Sequence, residues 1–394
     1  MPPEVQNGKG QGLDYSSTLA DTTMDGNAPK DASQGPSGHK EQEGCARASV
    51  NNRRTPDDAN HQFEGLSVVR THLGACGVSS EGTDIILASW KSTTKRQYNT
   101  HIKGWTQFCH REHINPLAPS VANIVNFLSH NFHRGVGYDS INTARGALSA
   151  LGIMVDGCRA GNHPLVNRFM RGVFNLRPPT PRYAMTWDVT VVLQRIRGME
   201  PLHYLSLKDL SLKLVMLMAL TQAARIQTLH LLLLDNISFG GNTVTLWLGG
   251  NIKQCRPKFN VHNIVFKAYT QDSSLCVVRT LTEYLDRTEN LRPGSGNVDG
   301  KLLISYIKPH RCVTKDTVAR WIKTMLCKCG IDTKKYTAGS IRPASVSMAK
   351  AKDVPIDTIM AKAGWTQENT FAKYYHKVIQ GDKDSFQEAV LGSV

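Results

Sequence analysis

The stretch AGWTQENTFAKYYHK (Ala363–Lys377) ends in two adjacent tyrosines, Tyr374 and Tyr375. Read alone it is the aromatic end of an amphipathic helix. It becomes something else if the chain also places fixed positive charge where a phenol oxygen could use it. The reading of the whole chain therefore depends on what precedes these fifteen residues.

Working upstream, three stretches matter. TAGSIRPASVSMAKA (Thr337–Ala351) puts Arg342 at the start of a helix, where backbone N–H groups also favour an anion. GGNIKQC (Gly249–Cys255) puts Lys253 in a turn between two candidate strands, with Lys258 close behind. TQAARIQTLHLLLLDNI (Thr221–Ile237) puts Arg225 in an otherwise apolar helix, and a buried arginine is costly unless it meets an anion. Trp365 follows Arg342 by 23 positions, and the tyrosine pair follows Trp365 by nine and ten.

Composition fits an anionic partner. The chain has 394 residues and a formal net charge of +15, carried unevenly. Residues 1–80 hold 7 Lys+Arg against 10 Asp+Glu, whereas residues 81–394 hold 40 against 22. A basic excess confined to the part that reads as folded is the footprint of a polyanion binder. The nine cysteines are odd in number and scattered, which argues against a disulfide framework and fits a reducing compartment better. Cys327-Lys-Cys329 lacks zinc-knuckle spacing, so no metal is expected. The most apolar run, LKLVMLMAL, is too short to cross a bilayer and reads as a buried helix, so no membrane partner is expected.

The pattern along the chain divides it. Residues 1–65 are rich in Gly, Ser, Asn, Asp and Gln and read as a disordered tail, followed by short marginal elements to about residue 83. Four amphipathic helices follow, with apolar stripes at Tyr98, Ile102, Trp105 and Cys109, at Val121, Ile124, Leu128 and Phe132, at Ile141, Ala144, Leu148 and Leu151, and at Leu165, Phe169 and Val173. The basic residues on their outer faces, Lys95, Arg96, Lys103 and Arg145, are candidate DNA contacts. LRPPTPRY (Leu176–Tyr183) breaks the pattern and reads as a linker over 177–186. Beyond it lies a mixed domain, 187–380. Helical structure is predicted across 206–237 and over 274–288, 314–329, 341–351, 355–363 and 367–377. NTVTLWL and FNVHNIVF alternate as an antiparallel strand pair, with Val244, Leu246 and Leu248 on one face. The last segment, 381–394, is a C-terminal tail. The fold class is mainly α with a small antiparallel β-sheet.

The order Arg225, Lys253, Arg342, Trp365, Tyr374/Tyr375 resembles the Arg…Lys…His-x-x-Arg…His/Trp…Tyr series of the tyrosine recombinase (phage integrase-like) superfamily. ILASWKSTTKRQY, INTARGALSAL, HPLVNRFMRGVF, RPPTPRY, LSLKDLSLKLVMLMALT, QTLHLL, ISYIKPHRCVTKDTVARWIK and AGWTQENTFAKYY resemble more closely the recombinases of animal DIRS-type retrotransposons, over about residues 80–380. The resemblance implies a two-domain clamp around double-stranded DNA, with a helical core-binding domain over 66–176 and a catalytic domain over 187–380. It also implies self-association on DNA, a nuclear location and no cofactor. By the same resemblance Arg225 and Arg342 hold the phosphate, Lys253 protonates the departing 5′-oxygen, Trp365 donates from its indole, and a tyrosine attacks to give a 3′-phosphotyrosine. Adjacent helical residues point about 100° apart, so one tyrosine faces the phosphate. Phage and bacterial spacing selects Tyr374; the retrotransposon relatives select Tyr375, the assignment favoured here. One position departs from the pattern: Gly339 stands where the second box has histidine. That leaves two expectations, a working or weakened strand-transfer enzyme and a DNA-binding relative that has lost the reaction.

Overall fold

The computed structural model describes residues 64–180, 183–235, 237–253, 255, 261–292, 300–365 and 368–379. Nearly all of the N-terminal tail, Lys258 and the C-terminal stretch 381–394 lie outside the described residues. The chain divides into two compact units, Met1–Gly104 and Trp105–Val394.

The first unit contains α1 (Glu64–Ala75), α2 (Ser80–Ala88) and the first half of α3 (Ser92–Arg111). The region expected to hold only marginal pieces is thus helical. Ser79 explains the start of α2, since its side chain accepts from the Gly82 amide at 3.1 Å as an N-cap. Arg96 and Lys103 are seven residues apart on α3 and so share a face, with Lys95 beside Arg96.

The second unit opens with the end of α3, α4 (Val121–His133), α5 (Tyr138–Ala150), a β1–β2 hairpin (Met154–Val155, Cys158–Arg159) and α6 (Pro164–Leu176). Ser120 and Asn123 form a reciprocal capping box that starts α4. Trp105, Phe108 and Phe127 pack with ring centroids 5.2–5.9 Å apart, and Trp105 Nε1 donates to the Pro116 carbonyl at 2.9 Å. Three of the expected stripes point inward as read, joined by Phe127 on α4, although Tyr98, Val121 and Phe132 are only half-buried. The α6 stripe does not. Val166, Met170 and Val173 are the buried residues, while Leu165 is 51% exposed and Phe169 half-buried. Both stripes have helical spacing; the one that packs against α4 and α5 is the one buried.

The remaining elements are β3 (Met185–Thr186), α7 (Val189–Arg197), α8 (Leu207–Thr221), α9 (Ile226–His230), β4 (Ser238–Gly240), β5 (Thr243–Trp247), β6 (Asn263–Lys267), α10 (Val277–Thr288), α11 (Lys315–Lys328), α12 (Ile341–Ala351), α13 (Ile356–Ala363), α14 (Glu368–Tyr374) and β7 (Val378–Ile379). Strands β4–β5–β6 form an antiparallel sheet, one strand larger than the pair read from alternation, with Val244 and Leu246 of β5 facing inward. β3 and β7 pair in parallel, which joins the end of the Pro-rich stretch to the residues just after the tyrosines. Helix α8 forms the centre of the main core, where every residue from Leu210 to Leu220 is buried. Its Lys213 is fully buried yet satisfied, since Nζ donates to the Met199 carbonyl and to Glu200, both at 2.8 Å.

The helical stretch expected across 206–237 is instead broken between Thr221 and Ile226. Ala223 takes a left-handed φ of +43°, a conformation a non-glycine residue holds only where its surroundings impose it. Arg225 is therefore the N-cap of a short helix rather than a residue inside a long one. The break frees the Ala223 carbonyl to accept from elsewhere.

Candidate active site

Arg342 organises the site. It is the second residue of α12, and α12 begins where expected because the 3₁₀ turn Ala338–Ser340 leads into it. Ser340 in that turn accepts from Trp187 Nε1 at 2.9 Å in the core. Pro343 costs α12 no internal hydrogen bond, since first-turn amides have no intrahelical partner. Arg342 is 4% exposed. Its Nη1 donates to the Ala223 carbonyl at 2.8 Å, and Nη2 donates to the Ala363 carbonyl. Among the described residues no carboxylate pairs with it.

Burial, and then the charge of nearby Arg225, push the Arg342 guanidinium down to about 9, with neighbouring Tyr375 acting in the opposite sense. At neutral pH the group remains a cation. Two arginines thus lie close together, and Arg342 lies over the Tyr375 ring. Such a pair is stable only when something anionic answers it.

Trp365 arrives by a local device. The end of α13 is a Schellman motif in which Gly364 takes φ +67°, its amide bonds the Ala361 carbonyl and the Trp365 amide bonds the Met360 carbonyl. This turn lays the indole against Arg342, whose Cζ sits 4.6 Å from the Trp365 ring centre and 5.3 Å from that of Tyr375. The Trp365 and Tyr375 rings are 4.4 Å apart. Ala223, Val346, Ile359, Ala363, Trp365 and Phe371 form a small separate core beneath, with Tyr375 packed against it. Replacing Gly364 by Ala should therefore destabilise the protein by about 1–2 kcal/mol, the cost of a Cβ in left-handed backbone, as measured by denaturant unfolding.

Three buried N–H groups in this cluster have no hydrogen-bond partner among the described residues: Arg225 Nη1, Arg342 Nε and Trp365 Nε1. Leaving one such donor unsatisfied costs about 1–3 kcal/mol, and more when it is charged. Three together, two of them on cations, define a site for an anion with several acceptor oxygens.

Of the residues singled out from sequence, Arg225, Arg342, Trp365 and Tyr375 come together. Lys253 is half-buried on the connection between β5 and β6. The Tyr374 side chain lies outside the described residues. Gly339 is exposed in the 3₁₀ turn, and a Cβ built there would meet only Thr337 Oγ1, at 3.8 Å. Arg145 turns inward: Nε donates to Asn142 Oδ1 at 2.9 Å, and Nη1 to the Gly161 carbonyl at 2.8 Å and Asn167 Oδ1 at 3.0 Å. Two contributions had no sequence signal, the Ala223 and Ala363 carbonyls, because any residue carries that group. Among the described residues no cluster of three or more His, Cys, Asp or Glu could hold a metal ion, and no helix is long and apolar enough to cross a membrane.

Solved structures place this architecture. The XerH site-specific recombinase bound to palindromic difH substrate, in its post-cleavage complex, matches with a TM-score of 0.53 at 14% identity, over 85% of this chain and 86% of that one. The fold is that of the tyrosine recombinases. The Tn1549 transposon integrase in complex with transposon right end DNA matches with a TM-score of 0.51 at 12% identity, over 82% and 98% of the two chains. The pre-cleavage XerH complex gives 0.51 at 15% identity, over 87% and 91%. No family model and no curated protein matches the chain. On this tyrosine-recombinase fold, the mainly α architecture with small sheets agrees with the class read from sequence.

Proposed function

We propose that this protein cuts and rejoins DNA through a covalent 3′-phosphotyrosine. The observation that carries the reading is the set of three buried, unpartnered N–H donors on Arg225, Arg342 and Trp365, with Arg342 and Trp365 against the Tyr375 ring and Arg225 close enough to act on Arg342. A phosphodiester supplies the acceptors these donors lack. Arginine suits the task because it stays protonated and can hold two phosphate oxygens at once. As the phenol oxygen attacks phosphorus, negative charge grows on the non-bridging oxygens. The fixed donors stabilise that charge without a metal.

In this reading the Tyr375 phenol gives up its proton to water as its oxygen bonds to phosphorus, the bond to the 5′-oxygen breaks, and the Lys253 ammonium delivers the proton that the departing oxygen needs. The phosphodiester energy is kept in the phosphotyrosine, so rejoining needs no ATP. Residues 66–176 and 187–380 act as the two arms of the DNA clamp, joined by 177–186. Lys95, Arg96 and Lys103 bear on the DNA backbone, and copies of the protein associate on paired sites. The long stretches resembling animal DIRS-type recombinases support a retrotransposon origin and a nuclear location.

Gly339 favours a second reading, a DNA-binding relative that has lost the reaction. Both readings require phosphate contacts. The logarithm of DNA affinity should fall linearly with the logarithm of salt concentration, with a slope of about −0.9 per phosphate neutralised; a flat response in a fluorescence titration rules out both. A trapping assay separates them. Protein is mixed with nicked duplex in EDTA without ATP, stopped with detergent and examined for protein joined to a 3′ end. An adduct supports strand transfer. Salt-dependent binding with no adduct, in this protein and in Gly339→His alike, supports the binding protein.

A further inference from the structure

Helix α12 carries Arg342 in its first turn and Ser347 in its second. Hydroxyls inside the helices of this protein commonly donate to the carbonyl four residues back, as Ser211 does to Leu207 at 2.7 Å and Thr280 to Cys276 at 2.8 Å. Ser347 does not. It is buried, and its Oγ donates to the Tyr375 carbonyl at 3.0 Å while accepting from the Lys377 amide at 3.0 Å. One hydroxyl thus spends both of its roles on the backbone that flanks His376.

That backbone needs an external hold. Tyr375 lies one residue past the end of α14, where intrahelical bonding runs out; the amides of Tyr375 and His376 both turn to the Phe371 carbonyl, at 3.0 and 2.9 Å. The next anchor, the two-residue β7, begins only at Val378. Between them the contact to Ser347 ties the tyrosine to the same rigid helix that carries Arg342. We infer that Ser347 is a positioning residue, which sets the Tyr375 phenol at its working distance from the Arg342 guanidinium. The inference rests on Tyr375 being the attacking group. A slip of about 1 Å in such a geometry costs on the order of 10²-fold in rate.

The test uses the full chain in two backgrounds, the protein as it stands and Gly339→His, each with Ser347→Ala and Ser347→Thr. Three quantities are read: single-turnover cleavage of a nicked duplex at saturating DNA, DNA affinity, and amide hydrogen exchange at residues 375–379. Ser347→Ala should lose about 10²-fold in cleavage at saturation with affinity unchanged, and exchange at Lys377 should rise. Ser347→Thr, which keeps the hydroxyl, should recover most of both. Cleavage by Ser347→Ala at the parental rate overturns the inference, as does unaltered exchange at Lys377 or a loss that falls wholly on affinity. If neither background cleaves while exchange at Lys377 still rises, strand transfer itself is the reading that fails. The positioning role then falls with it.

Discussion

Tyr375→Phe should abolish the covalent protein–DNA adduct while leaving DNA affinity and thermal stability close to those of the parent. The substitution removes one oxygen and keeps the ring that packs on Trp365 at 4.4 Å and lies over Arg342 at 5.3 Å. The small core of Ala223, Val346, Ala363, Trp365 and Phe371 is therefore undisturbed, and the loss falls on chemistry alone. Tyr374→Phe, one residue earlier, should still form the adduct. The reverse pattern would move the attacking group to Tyr374. An adduct that survives in both single variants and in the double variant would sink the phosphotyrosine reading.

Gly339→His should raise cleavage by about 10²–10⁴-fold, the range one positioned acid–base group contributes. The structure can take the change. Gly339 is exposed, its backbone is not left-handed, and the nearest atom a Cβ would meet is Thr337 Oγ1 at ordinary contact distance, 3.8 Å. The imidazole would stand three residues before Arg342, at the mouth of the turn that Trp187 holds through Ser340. Gly339→Ala serves as the control, since it stiffens the turn without adding a proton donor, and it should leave the rate unchanged. Equal gains in Gly339→His and Gly339→Ala would assign the effect to backbone rigidity. No gain in either would mean that the site works without that histidine or lacks more than that histidine.

Much of this was legible in the residues. The stripes at Ile102, Trp105 and Cys109 and at Ile141, Ala144, Leu148 and Leu151 are buried as their spacing required, because a 3.6-residue period leaves little choice once one face is apolar. α12 starts where the Arg342 motif implied. The third sheet strand, β4, escaped notice because three residues with none buried carry no alternation. The α6 stripe was misread for a different reason, since two stripes with valid spacing overlap at Val173 and only packing against the neighbouring helices distinguishes them.

The sequence by itself determined the order of the charged and aromatic groups, the helical class of the fold and the glycine at position 339, since all three are properties of residue type and spacing. Whether Arg225, Arg342, Trp365 and Tyr375 meet was left to the tertiary structure. Their meeting depends on a break after α8 that turns the Ala223 carbonyl toward Arg342, on the Gly364 turn that lays Trp365 across the guanidinium, and on a Ser347 hydroxyl that reaches the backbone of Tyr375. None of these leaves a mark in composition or period. Each is a backbone carbonyl, a dihedral angle or a hydroxyl direction, and such groups acquire a partner only when segments as far apart as residues 223 and 342 are packed together.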